Sequence, residues 1–184
     1  MATEKEKMLR GELYIATDKV LAAERRKARL LTKLVNDSSD EETELRCELL
    51  KELIPQQGAG LWIEPPFYCD YGYNIKVGDK VFFNFNCTLL DVMPITIGNA
   101  VLMGPSVQIY TAMHPTDWQE RATGLEFAKP VTSGDNVWIG GAAVICPGVT
   151  IGARSIIGAG SVVTRDIPPD VFAAGNPCKV VKPL

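Results

Sequence analysis

His114 is the only histidine among the 184 residues, and imidazole is the side chain best suited to move a proton near neutral pH. An unperturbed imidazole has a pKa of about 6.5, so it can remove the proton of an attacking hydroxyl group. His114 could equally cap a turn or pack beneath a loop, and its residue type alone leaves both roles open. Its role must therefore be inferred from the elements around it.

Cysteine thiols offer a rival chemistry, in which a nucleophilic cysteine and His114 would act as a pair. The five cysteines are odd in number and widely spaced, and no two have C-x-x-C or zinc-site spacing. Cys87 and Cys146 fall at positions typical of small core residues, which argues against a nucleophilic role. We therefore expect free thiols in a reducing cytoplasm. We also expect no metal site, because a zinc site needs several histidine or cysteine ligands and the chain has a single histidine. The cysteines are Cys47, Cys69, Cys87, Cys146 and Cys178.

A six-residue repeat runs from about residue 75 to about residue 167 and surrounds His114. The repeat is clearest from Ser133 onward, where the chain reads SGDNVW, IGGAAV, ICPGVT, IGARSI, IGAGSV and VTRDIP. One large apolar residue in six cannot form an amphipathic helix, whereas short strands joined by tight turns fit the pattern. Because strands this short must pair with the next coil, the repeat predicts a parallel β-solenoid of about five coils.

The first 56 residues lack the repeat and are predicted to be helical. One helix is expected over residues 17–35, and a capping box at residues 39–42 predicts a second that ends near Ile54. The basic run at residues 24–27 could attract an anionic partner, but a solvated helix face is the favoured interpretation. The apolar positions assigned to these helices are Leu21, Leu31, Leu34 and Val35 in the first and Leu45, Leu49 and Leu53 in the second.

Composition narrows the class of protein. A net charge of -3 and an isoelectric point near 5.3 argue against general nucleic-acid binding. No apolar run is long enough for a transmembrane helix, and the first ten residues lack the apolar core of a secretory signal. We therefore expect a cytoplasmic protein that has no membrane or nucleic-acid partner.

The repeat is interrupted between Met113 and Val131, and His114 stands at the start of this interruption. The inserted residues 114–130 read HPTDWQERATGLEFAKP. Insertions on a rigid solenoid usually carry function, because the scaffold holds the loop while solvent reaches it. A non-catalytic solenoid, which would serve as a binding platform or assembly subunit, has no need of such a loop.

Several segments together resemble the sugar O-acetyltransferases of the hexapeptide-repeat superfamily, most closely the galactoside and maltose acetyltransferases. The segments CDYGYN, TAMHP, NVWIGG and AAGNPC occur jointly, and the opening TEKEKMLRGELYIATD resembles the helical N-terminal segment of the maltose type. The resemblance extends over essentially the whole chain. It divides the chain into an acceptor-side helical segment, residues 1–56, and a transferase domain with a C-terminal tail, residues 57–184.

The resemblance implies a mainly β fold, namely a left-handed parallel β-helix with an N-terminal helical segment and an inserted loop. It also implies a homotrimer with active sites between subunits, acetyl-CoA as the donor and a sugar such as maltose or glucose as the acceptor. By its TAMHP context His114 corresponds to the catalytic base, which activates a sugar hydroxyl for direct attack on the thioester. No covalent acyl-enzyme is required.

The resemblance assigns acceptor-side residues one at a time. Asp18 corresponds to a sugar contact, although a helix-capping role is an equal alternative. Asp70 stands where galactoside enzymes have serine, and Glu126 where they have methionine; Glu126 could orient the imidazole or bind a hydroxyl. Ionised carboxylates accept the hydrogen bonds that paired sugar hydroxyls donate. The predicted acceptor-binding residues are Asp18, Asp70, Asn84, Asp91 and Glu126.

The donor-side residues follow from the same resemblance. Gly141 stands where the galactoside type has an oxyanion-binding serine, so only its backbone N–H remains as a donor. Thr164 and Arg165 correspond to a threonine–lysine pair near the nucleotide, and arginine adds a phosphate-binding fork. Two terminal lysines could bind phosphate or merely add surface charge. The predicted coenzyme A-binding residues are Gly141, Ala159, Thr164, Arg165, Lys179 and Lys182.

Overall fold

The computed structural model describes residues 2–184 and begins with a helical segment. Helix α1 spans Glu4–Leu9, strand β1 spans Tyr14–Ile15, α2 spans Lys19–Asp37 and α3 spans Thr43–Leu53. Asp18 caps α2, because its Oδ1 atom accepts the backbone N–H groups of Val20 and Leu21. None of the helices in residues 2–184 has the length and apolarity needed to span a membrane.

The remaining chain winds into coils, and each coil contributes one short strand to each of three parallel sheets. The first sheet contains β2 (Gln56–Gln57), β5 (Ile75–Val77), β8 (Ile95–Ile97), β13 (Val131–Ser133) and β16 (Thr150–Ile151). The second contains β3 (Trp62–Ile63), β6 (Phe82–Phe83), β9 (Leu102–Met103), β14 (Trp138–Ile139), β17 (Ile156–Ile157), β19 (Val171–Ala174) and the antiparallel β20 (Lys179–Pro183). The third contains β4 (Phe67–Cys69), β7 (Cys87–Leu90), β10 (Gln108–Tyr110), β15 (Val144–Ile145) and β18 (Val162–Val163).

Alternation along each strand fills the interior of the coil with branched apolar side chains. Ile75, Ile95 and Ile139 are fully buried, and side chains from all three sheets join one continuous core. The second residue of each repeat is small because neighbouring coils approach each other closely at the corners. A Cβ atom added to Gly78 would lie 2.8 Å from the backbone carbon of Gly98 in the next coil, so only glycine permits this stacking.

Helices α2 and α3 close the open end of the first coil. Leu31 and Val35 of α2 and Leu53 of α3 are buried in the same core as the coil residues. The Asn36 side chain also pairs with the exposed edge of β4: it accepts the Phe67 N–H at 2.8 Å and donates to the Phe67 carbonyl at 2.9 Å. The helical segment therefore satisfies both the apolar and the hydrogen-bonding needs of that end.

Some local predictions for the helices are wrong. Helix α3 begins at Thr43, and no side chain caps it. Only one half of the predicted capping box forms: the Glu42 carboxylate accepts the Ser39 N–H, but the Ser39 hydroxyl donates to that carboxylate instead of accepting the Glu42 N–H. Leu45 and Leu34 are about half exposed, so they do not face the core. Arg46 is buried instead, and its guanidinium donates to Ser38 and Ser39 at the turn between α2 and α3.

The interruption in the repeat forms a hairpin on the side of the coil. Strand β11 (Ala112–Met113) pairs antiparallel with β12 (Leu125–Ala128), and the short helix α4 (Trp118–Ala122) lies between them. Strand β12 also pairs with β1, which ties the hairpin to the N-terminal segment. The predicted β-helix with an N-terminal helical segment and an inserted loop is confirmed, and its coils begin at Gln56, one coil earlier than the repeat suggests.

Candidate active site

A cavity of about 390 Å³ opens where the N-terminal segment, the first coil and the inserted hairpin meet. We call it the acceptor cavity. Four separate parts of the chain supply its polar wall, so only the folded protein can assemble it. These are strand β1 with the residues that follow it, helix α2, the corner after β4 and the hairpin. They contribute, among others, Tyr14, Thr17, Arg25, Arg29, Asp70, Tyr71, His114 and Glu126.

His114 directly follows β11 and reaches the acceptor cavity from the base of the hairpin. Its Nδ1 atom lies 3.4 Å from the carbonyl oxygen of Leu125, at the long end of the hydrogen-bonding range. If Nδ1 carries the proton and donates to this carbonyl, Nε2 is left with a free lone pair. The hairpin therefore provides the orientation that a general base requires.

Glu126 is held in place by Tyr14 from the paired strand. The Tyr14 hydroxyl donates to Glu126 Oε2 at 2.7 Å, and the two residues are partners in the β1–β12 register. Burial, together with this carboxylate, raises the pKa of Tyr14 far above its usual range, so the phenol remains a donor. Within residues 2–184 the imidazole has a hydrogen-bond contact with Leu125 and none with Glu126. Because Tyr14 binds Oε2, the Oε1 atom of Glu126 is left for a ligand.

Asp70 faces two arginines across the acceptor cavity. Burial raises the pKa of Asp70, and the positive charges of Arg25 and Arg29 partly oppose that rise. Arg25 is fixed by hydrogen bonds of 2.6 Å to the Tyr71 hydroxyl and the Ala16 carbonyl. The interpretation of the basic run as a solvated face is therefore wrong for Arg25, although Arg26 and Lys27 are more open to solvent.

Asp91 does not line the acceptor cavity but lies behind the residues that do. The side chain is fully buried, and its Oδ1 atom accepts the backbone N–H groups of Asp70 at 2.9 Å and Tyr71 at 2.8 Å. Burial raises the pKa of Asp91 to about 7. The expected direct contact with the acceptor does not agree with this position, because the carboxylate is shielded and supports the corner that carries Asp70.

Seven of the predicted site residues separate into two groups on opposite edges of the third sheet. The edge after β4, β10 and β18 carries Asp70, His114, Thr164 and Arg165; we call it the histidine edge. The edge between the second and third sheets carries Asn84, Gly141 and Ala159; we call it the glycine edge. A single chain does not bring the two groups together.

Comparison with known proteins shows which family the chain resembles. Residues 7–58 match the maltose acetyltransferase hexapeptide capping motif, and residues 134–165 match the bacterial transferase hexapeptide of six repeats. The crystal structure of a maltose O-acetyltransferase from Clostridium difficile 630 is 51% identical, covers 100% of this chain and 98% of its own, and has a TM-score of 0.98. The galactoside O-acetyltransferase of Escherichia coli (strain K12) is 42% identical over 97% of this chain and 88% of its own.

The chain belongs to the maltose and galactoside O-acetyltransferase family. A further relative is the hexapeptide-repeat acetyltransferase from Vibrio cholerae, solved in complex with acetyl coenzyme A. It is 43% identical, covers 100% of this chain and 99% of its own, and has a TM-score of 0.92. The resemblance found in the sequence is therefore confirmed.

The glycine edge of this acetyltransferase presents backbone donors. Within residues 2–184 the N–H groups of Gly141 and Ala159 donate to no other protein group, and both residues are at least partly exposed. Neither side chain is large enough to cover the backbone. A ligand that lies along this edge can therefore accept hydrogen bonds from successive coils.

The terminal lysines lie on β20, which pairs with β19 at the far end of the coil. Lys179 is opposite Ala174 and Lys182 is opposite Phe172, and both lysines are exposed. Thr164 and Arg165 are exposed on the histidine edge. All four side chains are therefore accessible to an anionic ligand, although they lie on different faces.

Three cysteines of the acetyltransferase, Cys69, Cys87 and Cys178, are buried, and the other two are partly exposed. All five are free; Cys87 is fully buried, and burial raises its pKa to about 11. Burial also raises the pKa of Cys146. Raised pKa values leave little of the reactive thiolate. No group of three or more His, Cys, Asp or Glu side chains in residues 2–184 is placed to hold a metal ion.

Proposed function

We propose that this acetyltransferase moves the acetyl group of acetyl-CoA to a hydroxyl of glucose, maltose or a related sugar, with His114 as the general base. The observation that carries the proposal is the position of the single imidazole. It lies at a polar cavity, its Nδ1 atom faces the Leu125 carbonyl, and the carboxylates of Asp70 and Glu126 line the same cavity.

The reaction needs no covalent enzyme intermediate. The acceptor oxygen attacks the thioester carbonyl carbon while His114 Nε2 takes the hydroxyl proton. The resulting oxyanion accepts a hydrogen bond from the Gly141 N–H group. When the tetrahedral species collapses, the carbon–sulfur bond breaks, and the imidazolium returns its proton to the departing sulfur. The products are the sugar ester and coenzyme A.

The acceptor is held by carboxylates. Asp70 and Oε1 of Glu126 face the acceptor cavity, and ionised carboxylates accept hydrogen bonds from sugar hydroxyls. Asp18 uses Oδ1 to cap α2, and it follows Thr17 at the rim, where we assign its second oxygen an acceptor contact. Asp91 acts through the backbone of Asp70. Identity to the maltose enzyme, at 51%, exceeds that to the galactoside enzyme, at 42%, which supports a glucose-type acceptor.

The active site is completed by a second subunit of a homotrimer. Asn84, Gly141 and Ala159 lie on the glycine edge, one sheet away from His114, so a catalytic site that uses both groups requires the glycine edge of a neighbouring copy. Exposed apolar side chains mark the surfaces that such a copy would cover. Phe85, next to Asn84, is 54% exposed, and Trp138 of β14 is 52% exposed.

Coenzyme A would lie between these two edges. We assign the backbone donors of Gly141 and Ala159 to its pantetheine arm, and Thr164 and Arg165 to its nucleotide. Lys179 and Lys182 would supply further positive charge to its phosphates. Five free thiols fit a reducing cytoplasm, where acetyl-CoA is made and used.

A thiol-release assay with acetyl-CoA tests the proposal. Wild-type protein should release free coenzyme A with glucose or maltose present, and the product should be the acetylated sugar by mass spectrometry. Serine and an aminoglycoside serve as acceptors of other classes. Treatment with a thiol-alkylating reagent should leave turnover intact, because no cysteine takes part. Release that is independent of any sugar would contradict the proposal.

A further inference from the structure

Lys129 stands where the inserted hairpin returns to the coil, and no step proposed for acetyl transfer uses it. It follows β12 and precedes β13, so it lies at the corner between the third and first sheets, which is the histidine edge. The hairpin that carries His114 begins at the same corner. Along β10, β15 and β18, the corner that carries Thr164 and Arg165 is two coils away, or about 10 Å. Lys129 is therefore placed between the proposed base and the proposed nucleotide contacts.

The backbone of Lys129 is fixed to the coil. Its N–H donates to the Thr111 carbonyl at 3.0 Å, and the preceding Ala128 is buried. Pro130 follows, and a residue before proline is restricted to extended backbone. The rigid coil therefore sets the direction in which the Lys129 side chain leaves the backbone.

The aliphatic stem of Lys129 lies across the next corner of the histidine edge. A Cβ atom added to Gly148 would lie 3.1 Å from Cδ and 3.4 Å from Cβ of Lys129, so the stem occupies the space that a side chain there would fill. Gly148 lies between β15 and β16, one coil closer to Thr164 and Arg165. The side chain therefore runs along the edge in the direction of the nucleotide contacts.

The ammonium group at the end of this stem is not paired with a carboxylate. Lys129 is exposed and forms no ion pair within residues 2–184. Asp166, the carboxylate at the following corner, uses Oδ1 to accept the Thr150 N–H at 2.7 Å. A lysine ammonium carries three donors, so this one can bind an acceptor group of a ligand that lies along the edge.

We propose that Lys129 binds the pantetheine arm of the donor, with its ammonium donating to an amide carbonyl of that arm. The inference rests on the proposed function, which puts the thioester beside His114 and the nucleotide beside Arg165. The arm joins these two ends and carries amide carbonyls, whereas the phosphates belong to the nucleotide end. Lys129 holds the arm from the histidine edge, opposite the backbone donors of Gly141 and Ala159 in the neighbouring subunit.

Calorimetric titration without sugar tests the contact. The ligands are coenzyme A and adenosine bisphosphate, the fragment of coenzyme A that lacks the arm. Lys129→Met keeps an unbranched stem over Gly148 and loses the ammonium, so it should weaken coenzyme A binding about tenfold and leave adenosine bisphosphate binding unchanged. Arg165→Gln should weaken both ligands. Lys76→Met is the matched control, since Lys76 is an exposed lysine of β5 on the first sheet, and it should bind both ligands as wild type does.

Two results of the titration would overturn the contact. Unchanged affinity of Lys129→Met for coenzyme A would show that the ammonium binds no part of it. An equal loss for coenzyme A and adenosine bisphosphate would place Lys129 on a phosphate instead of the arm.

Thiol-release kinetics with acetyl-CoA and S-acetylpantetheine separate this inference from the proposed function. Lys129→Met should raise the KM for both donors about tenfold and leave kcat and the KM for the sugar unchanged. If the wild type acetylates no sugar, the proposed function fails, while the coenzyme A titration still decides the role of Lys129. A fall in kcat with an unchanged KM for acetyl-CoA would contradict the contact, because it would place Lys129 in the chemical step.

Discussion

The His114 imidazole faces a backbone carbonyl and not a carboxylate, which bears on its proposed role as a base. A proton on Nδ1 would face the Leu125 carbonyl, which adds no full negative charge next to the ring. The positive charge that develops on the ring during proton transfer must then be stabilised from across the cavity, where Asp70 and Glu126 lie. In the proposed mechanism these two carboxylates therefore have an electrostatic role as well as a binding role.

Asp18 offers a test that separates capping from acceptor binding. Asparagine caps a helix about as well as aspartate, so Asp18→Asn should keep the free energy of unfolding within about 0.5 kcal/mol of wild type. The loss of the carboxylate should lower kcat/KM for glucose about tenfold. Denaturant unfolding and the thiol-release assay give the two values. Wild-type kinetics in Asp18→Asn would restrict Asp18 to its cap, whereas Asp18→Ala should lose both properties.

Asp91 should make stability depend on pH. Its pKa is about 7 in the folded protein and about 3.9 in the unfolded chain, so between pH 4 and 7 the folded state holds a proton that the unfolded state has lost. The folded state is therefore favoured at low pH, and stability falls as pH rises through this range. Asp91→Asn keeps an oxygen for the two backbone N–H groups but cannot titrate.

The measurement is the difference in unfolding free energy between Asp91→Asn and wild type, taken from about pH 4 to about pH 8. We expect the difference to shift in favour of the variant up to about pH 7 and then to level off. Asp70 also has a raised pKa and is present in both proteins, so it contributes to the difference only through its charge coupling to Asp91. A difference that does not change with pH would contradict the account of Asp91.

The sequence predicts chemical roles for single residues, but it does not predict the neighbouring groups that position them. The type and context of His114 suggested a base, but nothing in the sequence indicated that the Leu125 carbonyl would orient it, since any residue has a carbonyl. Arg25 lay within a basic run that resembles a solvated surface. The four-residue spacing of Arg25 and Arg29 was a signal of a shared face, but which face is covered depends on the first coil.

At the scale of elements, the coil depends on close stacking at its corners. Gly78→Ala should lower the free energy of unfolding by about 3 kcal/mol or more, because its Cβ atom would lie 2.8 Å from the Gly98 backbone. Gly160 is the matched control. It has a φ of +68° and open space around it, so Gly160→Ala should cost only about 1–2 kcal/mol. Equal losses in denaturant unfolding would contradict the stacking argument.

The repeat predicts the coils well and the helices only coarsely. Each six-residue unit repeats the same contacts, so the register of one coil fixes the next. Helices α2 and α3 have no such redundancy. Leu34 and Leu45 are good helix formers on helices that exist, but Arg46 takes a buried place because its guanidinium closes the turn between the helices. Tertiary contacts, which the local pattern does not contain, decide which face is covered.

At the scale of the whole molecule, the two edges predict complementation between inactive subunits. His114→Ala and Asn84→Ala should each be inactive alone, because each removes one side of every shared site. Refolded together in equal amounts, they should recover about a quarter of wild-type activity, since random assembly gives that fraction of sites two intact sides. The mixed protein should sediment at three times the 20.1 kDa chain mass.

Wild-type mass with no recovered activity would place the complete site within one chain. Full activity of Asn84→Ala alone would remove Asn84 from the site.

Periodicity predicted a stacked parallel coil, but it carries no information on the hand of the coil or on assembly. The symmetry of a trimer depends on outward side chains such as Phe85 and Trp138, and the repeat does not constrain those positions.

The most direct test of the account is the turnover number of His114→Ala with acetyl-CoA and a saturating sugar. Loss of the proposed general base should lower turnover by about 100- to 10,000-fold. His114 is exposed on a hairpin, so the melting temperature and the affinity for maltose should remain close to those of wild type. Turnover within a few-fold of wild type would contradict the central claim.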